Sequence, residues 1–138
     1  MYKWIERDSG EVDILTKLDS ISVTKENKTK VDYYVFDEFE VHLNRIPPNS
    51  KQEWHLHKII EEVLVVTEGQ VDIMWKEKGE FMNETLVKGS LVRVKKSIHV
   101  IKNTSNNWAE FIVFRMVPSG NINREIIKND KVVAEPDF

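Results

Sequence analysis

Trp54-His55-Leu56-His57-Lys58-Ile59-Ile60-Glu61-Glu62 is the stretch on which the reading of this chain turns, answered further along by His99. Successive side chains of an extended strand point to opposite faces, so His55 and His57 share one face, roughly 6.6 Å apart along the strand. Imidazoles at that separation can converge on a single ion, because each metal–nitrogen bond spans about 2 Å. Glu62, after a short turn, and His99, from a distant strand, would complete a set of three nitrogens and one oxygen. Three of the four histidines of the protein enter that set.

The segments around this stretch also read as strands. Val31 to Phe36 is rich in β-branched and aromatic residues, and Phe39 to Arg45 alternates apolar and polar with period two. Ile46-Pro47-Pro48-Asn49 closes the latter as a turn. Glu62 to Thr67 ends at Glu68-Gly69, and Val71 to Lys76 and Phe81 to Val87 form a hairpin through Glu77-Lys78-Gly79-Glu80. Leu91 to Val94, His99 to Asn103 and Trp108 to Val117 follow, and Pro118-Ser119-Gly120-Asn121 breaks the chain. Roughly eight to ten short strands at this spacing predict an all-β sandwich or barrel. Residues 1 to about 24 are expected as an extra edge strand or a partner contact, and the tail after Asn121 as a covering strand or arm.

At 138 residues the chain has room for one domain with a single core, placed at about 31–117 between flanking arms. A net charge of −3 leaves no basic footprint for nucleic acid and no support for a membrane-surface partner. The absence of cysteine removes disulfides, thiolate metal sites and cysteine nucleophiles together. The charged start Met1-Tyr2-Lys3-Trp4-Ile5-Glu6-Arg7-Asp8 lacks the apolar stretch of a signal peptide, and the longest apolar run, Val63 to Val66, is too short to span a bilayer. A cytoplasmic location is the expectation.

With these residues in view, the chain resembles the cupin family. The first cupin motif reads G-x5-H-x-H-x3,4-E-x6-G, and His55-x-His57-x4-Glu62-x6-Gly69 matches it from the first histidine onward. Asn49 stands where the motif has its leading glycine. The second motif reads G-x5-P-x-G-x2-H-x3-N, and Gly89, His99 and Asn103 match its ends. Lys95-Lys96 replaces Pro-x-Gly, and the segment is one residue short. The resemblance covers about residues 39 to 117. It implies a double-stranded β-helix, or jelly-roll cupin barrel, holding one divalent transition metal. The ligands it implies are His55, His57, Glu62 and His99. Three imidazoles and a carboxylate suit Fe, Mn, Ni, Co, Cu or Zn.

Glu62 is preferred to Glu61 because its spacing to Gly69 matches; Glu53, on the strand face of His55 and His57, is the other competing carboxylate. His42 reads as exposed or as a neighbour of the ligands. Arg93 and Arg115 lie in apolar strands, where an internal salt bridge is the first use to expect. Neutral imidazoles are required of the ligands, so metal affinity is expected to fall below about pH 6.5. The function implied is a small metal-binding cupin acting as a metal-dependent enzyme, dioxygenase- or oxidoreductase-like, on a small organic molecule. Isomerisation or decarboxylation stand behind that chemistry. The alternative is a non-catalytic cupin that binds or senses a sugar or metabolite. A homodimer is expected from family habit.

Overall fold

Runs of β-branched and aromatic residues, cut short by turn formers, give strands rather than helices. The computed structural model describes residues 10–118 and 124–134. Among the described residues the strands in chain order are β1 (Ile21–Thr24), β2 (Lys30–Val35), β3 (Phe39–Ile46), β4 (Ser50–Lys51), β5 (His55–His57) and β6 (Glu61–Glu68). They continue with β7 (Gln70–Glu77), β8 (Glu80–Val87), β9 (Leu91–Arg93), β10 (His99–Asn103), β11 (Ala109–Met116) and β12 (Lys131–Val133). One α-helix, α1 (Arg124–Asn129), and a 3-10 turn at Lys17–Asp19 accompany them. No helix among the described residues is long and apolar enough to cross a membrane.

The strands form two antiparallel sheets. One runs β1-β2-β3-β11-β6-β9; the other runs β12-β5-β10-β7-β8, with β4 also paired to β10. This is the all-β jelly-roll barrel expected. Inward side chains of both sheets meet in one core that includes Leu64, Val66, Val71, Ile73, Ile101 and Phe111. Each such side chain, fully buried, contributes about 1.5–3 kcal/mol. Along β6 and β11 the inward positions change character. Glu62 and Arg115 face each other in register, and the following inward pairs are Leu64 with Val113 and Val66 with Phe111. One part of the interior is therefore apolar and holds the sheets together, while the other is polar.

Turn chemistry follows the sequence closely. The β7–β8 hairpin closes through Lys78 (φ 50°) and Gly79 (φ 79°), both left-handed, as a two-residue turn between right-twisting strands requires. Gly69 takes φ 71°, and a Cβ there would stand 3.0 Å from the Trp108 carbonyl oxygen, so a larger residue would be strained and crowded. Of the expected N-terminal edge strand, Ile21–Thr24 forms the edge of the first sheet, while residues 1–9 lie outside the described residues. Residues 119–123, part of the expected break, also lie outside them. The tail includes a covering strand, β12, which pairs with β5. It also includes α1, which six residues with a single Ile126-Ile127 apolar pair do not announce.

Candidate metal centre

β5 presents His55 and His57 to the interior and half-buries Leu56 on the other face, as strand periodicity predicts. His99 opens β10 directly opposite His55. Glu62 comes from β6 in the facing sheet, so the turn at Lys58–Ile60 carries the chain from one sheet to the other between two site residues. Asp130 holds that turn. Its Oδ2 accepts the backbone N–H groups of Lys58, Ile59 and Ile60 at 3.0, 2.9 and 2.9 Å. The outcome is a buried group, His55, His57, Glu62 and His99, whose ligand atoms all lie within 4.8 Å of one another. That spacing is compatible with bonds of about 2 Å to one central ion.

Two of the rings are oriented by carbonyls. His55 Nδ1–H donates to the Glu53 carbonyl at 2.7 Å, and His99 Nδ1–H donates to the Ser97 carbonyl at 3.0 Å. Both Nε2 atoms are thereby left as lone pairs. His57 Nε2 stands 2.8 Å from Glu62 Oε2. Buried nitrogens of His57 and His99 Nε2 have no hydrogen-bond partner. Buried polar atoms without a partner are costly and uncommon. A divalent ion would satisfy them, and a donor set of imidazole and carboxylate is chemically suited to one, so the residues present fit a metal.

Charge is balanced around the group. Arg115 Nε donates to Glu62 Oε2 at 2.9 Å. Burial pushes the Glu62 carboxyl upward, but the Arg115 guanidinium and the contact with His57 outweigh it, so the group stays well below the usual carboxylate range. Burial, with His99 nearby, pushes His55 down to about 3. His99 is also lowered, chiefly by burial. These rings are neutral, as ligation requires, and they stay neutral below the pH of about 6.5 at which an exposed histidine would begin to lose metal.

The competing carboxylates lie elsewhere. Glu61 points to the opposite face from Glu62 and pairs with Arg93 at 2.7 Å. Glu53 is exposed and stands 3.7 Å from Lys131. Of the two arginines, Arg115 makes the internal bridge, whereas Arg93 is exposed on the surface. The two departures from the cupin motifs are absorbed by the backbone. Asn49 adopts φ 54° where the motif has glycine, and Lys95 adopts φ 52° in the turn before His99. His42 is buried rather than exposed, because β3 turns Glu40, His42 and Asn44 inward and exposes Phe39 and Leu43. Neither Asp130 nor the Glu40–His42 pairing was legible in the sequence; a polar residue at alternate positions of β3 was the one available sign.

No protein-family model and no curated protein sequence matches the chain. Solved structures do. A sugar phosphate isomerase of the cupin superfamily from Silicibacter pomeroyi shares 21% identity at a TM-score of 0.57, over 64% of this chain and 59% of that one. The capsular polysaccharide assembling protein CapF from Staphylococcus aureus shares 16% identity at a TM-score of 0.67, over 85% of this chain and 32% of that one. Drosophila melanogaster CENP-C, bound to CAL1, shares 17% identity at a TM-score of 0.62, over 70% of this chain and 76% of that one. The chain thus spans less than two thirds of the first of these proteins and about one third of the second. At these identities the likeness shows the fold alone, a cupin-type jelly-roll barrel.

Proposed function

We propose that this domain is a metal-dependent enzyme acting on a small, oxygen-bearing organic molecule. The observation that carries the reading is the buried His55–His57–Glu62–His99 group, in which His99 Nε2 has no hydrogen-bond partner and His57 Nε2 meets the Glu62 carboxylate. These four residues would hold one divalent transition metal, which when bound supplies Lewis-acid chemistry at oxygen atoms of the substrate. Four protein ligands on an octahedral ion would leave about two positions for substrate oxygens or dioxygen.

The other interior residues have definable work. The Glu53 and Ser97 carbonyls orient His55 and His99, and Arg115 holds Glu62 in its charged form. Lys25, from the β1–β2 turn, reaches a cavity of about 310 Å³ that Lys131, Gln52 and Glu53 also line, beside His55 in the chain. Burial, reinforced by Lys131 and Arg115, pushes its ammonium down to about 8. An anionic group on the substrate would relieve that crowding of positive charge, so Lys25 would anchor a carboxylate or phosphate. The sugar phosphate isomerase neighbour supports that substrate class. Oxygen insertion or another oxidoreductase step would use the same open metal positions.

A second reading, ligand binding or sensing without turnover, draws on Glu62 Oε2 contacting both His57 and Arg115. Those two contacts would hold Glu62 in place with or without a metal. Zinc titration followed by thermal unfolding tests the metal site: saturable stabilisation in the wild type, absent from the His55→Ala, His57→Ala double variant, supports it. Metal-dependent oxygen uptake or product formation with candidate metabolites then supports the enzyme. Ligand-induced stabilisation without any turnover across those metabolites supports the sensing reading instead. We carry the homodimer as part of this proposal, since β8 is an exposed edge strand bearing Phe81, Met82 and Val87.

A further inference from the structure

β6 and β11 each carry four apolar residues in succession, Val63-Leu64-Val65-Val66 and Phe111-Ile112-Val113-Phe114. A strand with one wet face alternates apolar and polar, whereas a continuous apolar run marks a strand covered on both faces. The core takes one set of these side chains, Leu64, Val66, Phe111 and Val113. The other set points outward from the first sheet, and neighbouring strands extend it. Register aligns Leu43, Ile112, Val65 and Leu91 in one row across β3, β11, β6 and β9. Val41, Phe114 and Val63 form the next row. Phe39, Leu43 and Met116 are each more than a third exposed, and Leu91 is 62% exposed. The sheet thus has a second apolar face, turned away from the barrel interior.

Charge and size say what covers it. Arg45 pairs with Glu110 at 3.0 Å at one end of the face, and Arg93 pairs with Glu61 at 2.7 Å at the other. Like charges brought together across a contact oppose it, so a face neutral at both ends meets a copy of itself without repulsion. A strongly acidic or basic partner gains nothing there. The three central strands, β3, β11 and β6, are each eight residues long. At about 3.4 Å per residue and about 4.8 Å between strands, the span from β2 to β9 presents roughly 600 Å² of flat area. Side-chain relief brings that close to the roughly 800 Å² that a stable interface takes from each partner. The arm leading into β1 adds apolar surface at the margin: Val12, Ile14 and Leu18 are 86%, 81% and 96% exposed. Lys17 beside them borders a groove of about 350 Å³ on this face, together with Leu43, Arg45 and Ile112.

We propose that the outward face of the sheet β1-β2-β3-β11-β6-β9 is the contact surface for a second copy of this chain, packed face to face about a two-fold axis. The inference rests on the homodimer reading above and places the contact on this face rather than at the β8 edge. Sheets packed in this way stand about 10 Å apart with their strands within roughly 30° of one another. Side chains of the two copies then interdigitate as they do in the barrel core. Two-fold symmetry makes each position count twice, so one charge introduced at the centre of the face is buried in both copies.

Sedimentation velocity at tens of micromolar protein tests this, with near-ultraviolet circular dichroism as the check that each variant is folded. The wild type should sediment as a dimer. Ile112→Lys should weaken the dimer by at least about a hundredfold, and Val87→Lys on β8 should leave it unchanged. The chain has no cysteine, so Leu43→Cys and Val87→Cys each supply a single thiol reporter. These reporters keep the test decisive should Ile112→Lys fail to fold. Maleimide labelling of the Leu43→Cys variant should slow by about tenfold or more between dilute and dimeric protein, while labelling of the Val87→Cys variant should not change. A dimer that survives in folded Ile112→Lys, a dimer abolished by Val87→Lys, or unslowed labelling of dimeric Leu43→Cys overturns the proposal and leaves the homodimer standing. A wild type that is monomeric throughout removes the homodimer and this proposal together.

Discussion

Arg115 shows at the scale of one residue how the site is held together. Its guanidinium sits on Glu62, with side chains 18% and 6% exposed, so each neutralises a charge the other would leave buried. Arg115→Ala should therefore destabilise the metal-free protein by about 3 kcal/mol. Saturating zinc should shrink that loss, because a cation facing Glu62 replaces the missing charge. Urea unfolding in EDTA and in zinc measures the difference; an equal loss in both would show that Glu62 does not face the metal. The His55–His57–Glu62–His99 group was legible in the sequence because period-two geometry and motif spacing are local properties. Glu40 and His42 were not. The ordinary rule sends the apolar side of an alternating strand inward, and β3 reverses it where the interior is polar.

The turn between β5 and β6 is the element on which the geometry of the candidate site depends, since it joins His57 to Glu62 across two sheets. Asp130 gathers three of its N–H groups, and Asp130→Ala would leave those donors without their acceptor. We expect a stability loss of about 1–3 kcal/mol and, as for other residues that support metal ligands, roughly tenfold weaker metal binding. Calorimetric zinc titration checks the second; unchanged affinity in a folded variant would mean that β5 and β6 position the ligands unaided. No local pattern could have disclosed this. Asp130 lies some seventy residues from the turn, between a six-residue helix and a three-residue strand, both too short to show a period. The β7–β8 hairpin was legible for the opposite reason, because Lys78-Gly79 is a complete turn signal in two adjacent residues.

For the molecule as a whole, the fold was readable because strand alternation, turn residues and two histidine motifs agree on one barrel. Its dependence on pH was not, because burial moves the histidines. His55, His99 and His42 all have folded values below the ordinary 6.5. The unfolded chain therefore binds more protons once pH falls below about 6.5, and stability present above that pH is lost as it drops toward the folded values. Each such histidine should remove about 1.4 kcal/mol per pH unit in this window. Urea midpoints in EDTA should fall between pH 7.5 and 5.5. A flat profile would mean that the rings are not held neutral.

Metal content, measured by mass spectrometry on protein purified without a nickel column or chelators, tests the central claim most directly. The account predicts about one transition-metal ion per chain in the wild type and none in the His55→Ala, His57→Ala double variant. A wild type that arrives empty, and takes up no added Fe, Mn, Ni, Co, Cu or Zn, would contradict it.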